Sequence, residues 1–393
     1  MTMSTDSLLK HLACSNCGSV FDHREIQTFC LTCNKPLLAV YDLEQAKKKL
    51  SKELFSNRLP NLWRYRELLP ILEGKHIVSL GEGFTPLIPL SSLGRRLALP
   101  HVFVKDESQI PTGSFKARGL AVAVSKALEL GIKRVAIPTA GNAGGALAAY
   151  AARAGIECFI FMPADVPRLN LIESQVCGAR VTLVKGIISD CAKMIAERKA
   201  EMGWFDMSTL KEPYRLEGKK TMGWELAEQF EWTLPDVILY PTGGGTGLIG
   251  MWRAFSELAE LGWISGSRPR MISVQSRGCD PITRAFGDGK TESEFYHNAQ
   301  TLAAGLRVPK AFGDALILKA IRESGGVAIS VSDDEILSAM KDMAQVEGIF
   351  MCPEGAATLA AMKRLKEEGE VNASDRIVLF NTATGLKYPE IWQ

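Results

Sequence analysis

Nowhere does the chain approach the ~20 consecutive apolar residues that cross a bilayer, so no membrane span is expected. Nor is there a run of five or six like charges. Its 46 basic and 44 acidic residues leave a net charge of +2, spread along the chain, which argues against a nucleic-acid tail or a membrane-binding basic segment. Histidine is scarce. His11, His23, His76, His101 and His297 all lie outside the glycine-rich turns described below, so neither a Ser-His-Asp triad nor a histidine-bound catalytic metal finds support. The opening, MTMSTDSLLKHLACSNC, lacks a basic start followed by a long apolar stretch, and secretion is not expected. Internal repeats and low-complexity segments are also missing, which excludes solenoids and disordered arrays. What remains is an ordinary globular composition, 46% hydrophobic and 23% charged over 393 residues, enough for two or three domains around a large core.

Four of the nine cysteines form two Cys-x-x-Cys pairs, Cys14 with Cys17 and Cys30 with Cys33, separated by twelve residues. In an unsecreted, reducing setting this doubled spacing favours metal over disulfides: four thiolates occupy the corners of a tetrahedron around zinc, leaving no open position for catalytic water. We expect a structural zinc ribbon over residues 1–40, against the alternatives of a redox pair or plain reduced thiols. Cys158, Cys177, Cys191, Cys279 and Cys352 have no ligand spacing and read as buried structural thiols.

Residues 41–100 read as a connector that opens with helical spacing from Leu43 to Leu54. From there the chain alternates. HVFVK, RVAIP, ECFIFMP, ARVTLV, DVILYP, RMISVQ and RIVLF have strand character, and segments such as FKARGLAVAVSKALELG have helical spacing, the pattern of an α/β fold with parallel strands and crossover helices.

Three turns in this pattern can carry chemistry. In PTGGGTGLIG, Gly243, Gly244, Gly245, Thr246 and Gly247 join a strand to a helix, where bare backbone and the positive helix end suit a phosphate. A tight turn is the plain alternative. In PTGSFKARG, Lys116 follows Phe115 at the start of an apolar helix; burial and the helix end both disfavour its ammonium form, although most lysines so placed are surface residues. In PTAGNAGG, the backbone around Thr139 and Gly141 suits a carboxylate and the Asn142 amide a phenolic oxygen, with a simple helix cap as the alternative. Thr382, directly after the last strand run, offers a hydroxyl suited to a ring nitrogen or merely to a turn.

Taken in order, GEGFTPL, KDESQIPTGSFKARG, TAGNAGGALAAYAARAG, EPYRLEGKKT, PTGGGTG, GLRVP, PEGAA and TGLKYP resemble the fold type II pyridoxal-phosphate (PLP) enzymes, and among them the threonine synthases, from about Gly81 to Pro389. The resemblance implies that Lys116 forms the Schiff base, that Asn142 partners the cofactor's O3′, that Gly243 to Gly247 cradle its phosphate and that Thr382 faces its ring nitrogen. It further implies that Arg215 binds a substrate phosphate, that the substrate is a small amino acid, and that the enzyme is a homodimer; the unpaired cysteine usage and the lack of a secretory pattern make the cytoplasm the expected compartment. Several positions depart from the family: Ala117, Ala143, Thr209, Leu210 and Thr384 stand where polar or different groups are usual. Ala117 is similar to the KARG of threonine and serine ammonia-lyases, which keeps elimination from serine or threonine as the alternative activity. The implied architecture is a ribbon (1–40), a connector with the first part of a large domain (41–134), a smaller α/β domain (135–206) and the rest of the large domain (207–393), with the cofactor in the cleft between the two α/β domains.

Overall fold

All seven apolar runs become strands, and the reason is visible in how they are buried. In the computed structural model, which describes residues 7–392, three short strands come first: β1 (Leu9–Cys14), β2 (Val20–Phe21) and β3 (Leu37–Tyr41). They pair antiparallel in the order β2-β1-β3, with both cysteine pairs at one end. The first six residues of the expected ribbon lie outside the described residues. Next come β4 (Leu87–Pro89), β5 (Val102–Asp106), β6 (Arg134–Pro138), β7 (Glu157–Pro163), β8 (Arg180–Val184), β9 (Phe205–Asp206), β10 (Val237–Pro241), β11 (Arg270–Ser276), β12 (Ala328–Val331) and β13 (Ile377–Asn381).

A six-stranded sheet has the order β12-β11-β10-β13-β5-β4, parallel except for the edge strand β4. Val237, Leu239, Ile377 and Leu379 pack into one core, whereas the alternate residues Ile238, Tyr240, Val378 and Phe380 pack into another. Both faces are thus covered, and β10 and β13 are buried at every position, with Asn381 at the end of β13 their one polar residue. A second, parallel sheet, β8-β7-β6-β9, lies entirely between residues 134 and 206. The Leu43–Leu54 segment is two helices rather than one, because the Ser51 hydroxyl accepts from the Leu54 N–H and starts a new helix at Lys52.

Three helices meet where the chemistry-bearing turns converge: Lys116–Glu129, Arg215–Gln229 and Thr246–Glu260. Their close approach depends on missing side chains. A Cβ at Gly218 would stand 2.0 Å from the Arg118 carbonyl oxygen, and one at Gly250 would stand 2.9 Å from the Lys220 nitrogen, so neither contact tolerates a larger residue.

Behind this junction lies a buried ion network. Arg118, fully buried, spans Glu107 (Nε to Oε2, 2.6 Å) and Glu225 (Nη2 to Oε2, 2.7 Å), and Lys105 reaches the same Glu225 oxygen at 3.0 Å. Burial alone would raise the Glu225 pKa, but Arg118 and Lys105 hold the carboxyl down to about 2. Removing the shared cation leaves two buried carboxylates undercompensated. Arg118→Met is therefore expected to cost about 3–5 kcal/mol of stability, read as a fall in the urea denaturation midpoint; an unchanged midpoint would contradict this account of the junction.

Candidate active site

Strands that run parallel present their carboxyl ends on one side, and in open α/β sheets that is where turns gather into binding crevices. Here Pro138, Pro241 and Asn381 close β6, β10 and β13, and the turns that follow carry Thr139 to Asn142, Gly243 to Gly247 and Thr382. All of these except the spacer at Thr242 line one cleft of about 270 Å³, together with Phe115, Lys116 and Arg215. The residues expected to hold cofactor and substrate, Phe115, Lys116, Thr139, Gly141, Asn142, Arg215, Gly243 to Gly247 and Thr382, are all brought to this cleft.

Lys116 is the first residue of its helix. The loop ahead of it is stitched to the end of β13: the Phe115 N–H donates to the Thr382 carbonyl (2.9 Å) and the Thr384 N–H to the Gly113 carbonyl (3.0 Å). The Lys116 Nζ lies 4.4 Å from the centre of the Phe115 ring. Burial, then the positive Arg215, lowers its pKa to about 8, with Glu354 pulling the other way. A second amine, Lys219, sits 3.9 Å from the same ring and donates to the Phe115 carbonyl, and burial followed by the Lys116 charge holds its pKa well below the ordinary value.

The glycine turn is built by crowding. A Cβ at Gly243 would meet the Gly305 carbonyl at 2.3 Å, and Gly245 has φ +73° with Ile317 at 2.2 Å from its Cβ direction, so both positions require glycine. Among the described residues, the N–H groups of Gly243, Gly244 and Gly245 have no protein acceptor. With the first-turn N–H groups of the helix that starts at Thr246, they form a donor-lined cradle for an anion.

At the β6 turn, the Gly141 N–H is already taken by the Thr139 hydroxyl at 3.1 Å, so a carboxylate there would rely on the neighbouring helix-start N–H groups instead. The Asn142 Nδ2 donates to the Tyr388 hydroxyl (2.9 Å), while its Oδ1 is buried with no protein partner. The Thr382 hydroxyl lies 3.6 Å from the Cys352 sulfur, which also caps the helix Pro353–Glu367 by accepting from the Gly355 N–H. Arg215 is buried, donates through Nη1 to the Met207 carbonyl at 2.6 Å and keeps its Nε unpartnered. Beside it, burial raises Glu212 to about 7.

Among the cleft residues that sequence reasoning did not single out are Glu354 and Tyr388. Both sit inside motifs that the resemblance had picked out, PEGAA and TGLKYP, but nothing local says that their side chains turn inward. Of the departures from the family, Ala143 and Thr209 line the cleft, and so does the nearby Lys211. Leu210, at φ +62°, instead turns its buried side chain towards Gly313.

Away from the cleft, the sulfurs of Cys14, Cys17, Cys30 and Cys33 all lie within 4.8 Å of one another, so one metal ion fits among them. Three of the six separations, at 3.3, 3.7 and 3.8 Å, lie at or below the ~3.8 Å edge of a tetrahedron with Zn–S bonds of about 2.3 Å.

The model of the pyridoxal-phosphate dependent enzymes matches residues 78–383. The chain is 37% identical over 378 residues to a threonine synthase from Methanocaldococcus jannaschii, covering 96% of this chain and 93% of that one. A threonine synthase from Methanosarcina acetivorans is 35% identical over 381 residues, 97% and 93% of the two chains. The chain belongs to the threonine synthase family of pyridoxal-phosphate dependent enzymes. Its fold is shared with the processed form of threonine deaminase isoform 2 from Solanum lycopersicum, at a TM-score of 0.66 and 22% identity over 78% of this chain and 86% of that one. It is a fold type II α/β enzyme and a PLP-dependent lyase.

The cleft fits that cofactor. Partnerless N–H groups on a glycine turn suit its phosphate, the buried and unpaired Asn142 amide suits a polar ring substituent, and a lysine of lowered pKa suits its aldehyde. In cofactor-free protein, the rate of PLP attachment is expected to rise with pH to a midpoint near 8 and then level off. Arg215→Ala removes the cation that disfavours the Lys116 ammonium, so the midpoint moves upward. A midpoint near 10.5 in the parent protein would show Lys116 to be an ordinary lysine.

Proposed function

We propose that this cleft converts O-phosphohomoserine and water to threonine and phosphate, with Lys116 as the residue that holds PLP and moves protons. The observation that carries the reading is the convergence of Lys116, Asn142, the Gly243–Gly247 turn, Thr382 and Arg215 on one cleft, in a chain whose near-full-length relatives are threonine synthases. When bound, PLP withdraws electron density from the substrate's Cα and so acidifies the bonds around it.

Each residue then has a task set by its chemistry. The Lys116 amine, neutral above about pH 8, takes the Cα proton and serves as acid and base at the neighbouring carbons while phosphate leaves Cγ and water adds at Cβ. Thr382 offers the ring nitrogen a neutral hydroxyl rather than a carboxylate, which limits the electron sink and restrains transamination. Arg215 binds the substrate phosphate, since its planar fork pairs with two oxygens and its Nε is unpartnered. Lys211, on the cleft wall close by, adds positive charge where Ala143 supplies none. Asn142 and the glycine turn hold the cofactor.

Ala143 on the cleft wall also favours a second reading, elimination of water from serine or threonine, for which no phosphate site is needed. The two separate cleanly. Purified enzyme given O-phosphohomoserine is expected to release phosphate and threonine in equal amounts; formation of 2-oxo acid from serine or threonine, with no phosphate release, would establish the ammonia-lyase instead. Arg215→Lys should lower kcat/KM for O-phosphohomoserine about 10- to 100-fold, the loss expected for a hydrogen bond between charged groups.

The same reading assigns structural zinc to Cys14, Cys17, Cys30 and Cys33, supported by their tetrahedral spacing. We expect about one zinc per chain by elemental analysis, and a folded chain free of metal would remove the assignment. Nine cysteines, none of them in a disulfide, support a reducing, cytoplasmic compartment. A sheet confined to residues 134–206 supports a separate smaller domain there. No helix among the described residues is long and apolar enough to cross a membrane.

A further inference from the structure

Tyr388 and Glu354 line the cleft but have no task in the mechanism above. Both are buried, and they are linked. The Asn142 Nδ2 donates to the Tyr388 hydroxyl at 2.9 Å, the hydroxyl donates to Glu354 Oε1 at 3.1 Å, and the Gly305 N–H donates to that same oxygen at 2.7 Å. A Cβ at Gly305 would come within 2.8 Å of Glu354 Oε1, so a larger residue there would push the carboxylate out of this seat.

We propose that Tyr388 is a positioning residue: anchored on Glu354, it holds the Asn142 amide in one orientation towards the bound cofactor. The argument is one of donors and acceptors. A carboxylate only accepts, so the single phenolic proton goes to Glu354 and the phenol oxygen must accept from its other neighbour. That neighbour can only be the amide nitrogen of Asn142, because its carbonyl oxygen has no proton to give. The chain of bonds thus settles which way the amide points, which the amide by itself leaves open. It leaves the Asn142 Oδ1 and one N–H for the cleft, and the Oδ1 is indeed buried without a protein partner. Glu354 Oε2 is likewise buried and unpartnered, a second sign that this corner is shaped for a ligand.

The phenol is fit for the task at any working pH, since burial and then the Glu354 charge hold its proton. The charged and titratable groups facing this corner are Lys116, Lys219 across the Phe115 ring, Arg215, Glu354, Tyr388 itself and Cys352 beside Thr382. Among them Glu354 is the one that favours the Lys116 cation. Removing the phenol hydroxyl exposes Lys116 to a less neutralised carboxylate and frees Asn142. Removing the carboxylate charge does the opposite to Lys116.

The inference rests on the cofactor reading and is tested on cofactor-loaded enzyme by titrating its visible absorption band with pH and by measuring cofactor loss on dialysis. Tyr388→Phe keeps the ring in place and should raise the midpoint by about half a unit or more and weaken cofactor retention several-fold. Glu354→Gln keeps an acceptor for the phenol and should move the midpoint down. Midpoints and retention like those of the parent in Tyr388→Phe, or shifts of the same sign in both variants, overturn the proposal. If Tyr388→Phe does not fold, Asn142→Ala takes its place: the midpoint should again rise, and an unchanged one rejects the relay. Parent enzyme without a visible band sinks the cofactor reading itself, and this inference with it, a result distinct from an unresponsive variant.

Discussion

Everything in the cleft is referenced to one guanidinium. Arg118 lies two residues beyond Lys116, is closed off from solvent, and is held by Glu107 from the loop after β5 and by Glu225 from the helix that begins at Arg215. Thr85 of the GEGFTPL segment donates to Glu107 and accepts from Arg118, and so joins the same set. Charges at this depth repay their desolvation only when geometry and hydrogen bonding are nearly complete, so the network admits one arrangement of the elements that contribute to it. Lys116 and Arg215 each start a helix locked into that arrangement. The distance between the amine proposed to move protons and the arginine proposed to bind phosphate is therefore a property of the buried network rather than of the cleft surface.

The cleft itself works by contrast between rigidity and unmet hydrogen-bonding capacity. Its backbone is crowded to the point where Gly243 and Gly245 cannot be enlarged. Yet the N–H groups of the glycine turn, the Asn142 Oδ1, the Arg215 Nε and Glu354 Oε2 are all left without protein partners. Buried polar groups normally find partners, and a cluster that does not, held by a frame that cannot relax to supply them, is the signature of a ligand site. Lys116 belongs to the same logic: burial and Arg215 both work against its charge, which brings an amine near neutrality at working pH.

Several elements left little mark in the sequence, and each has a physical cause. Strands β4, β9 and β12 are two to four residues long; at that length no periodicity can accumulate, and pairing with a longer neighbour makes the strand. The connector's apparent single helix is interrupted because Ser51 caps a second one, a competition between side chain and backbone that spacing alone does not resolve. Thr139 was legible as part of a donor-rich turn, but its hydroxyl satisfies the Gly141 N–H itself. Cys352, read as an inert thiol, is indeed buried, though it stands against the Thr382 hydroxyl at the cleft wall.

The order of strands, the two anion-friendly turns, the lysine at a helix start and the doubled cysteine pairs were all determined by the sequence alone, because each depends on neighbours within a few residues. The meeting of those features was not. Lys116, Asn142, Gly245, Arg215 and Thr382 are scattered over more than 260 positions, and only the parallel pairing of β10 with β13, together with the turn that β6 brings from the second sheet, gathers them on one cleft. The roles of Glu354 and Tyr388 were decided at that level too. Whether a side chain turns into a cleft or away from it depends on what packs behind it, as Leu210 and Lys211, adjacent in the chain and opposite in direction, make plain.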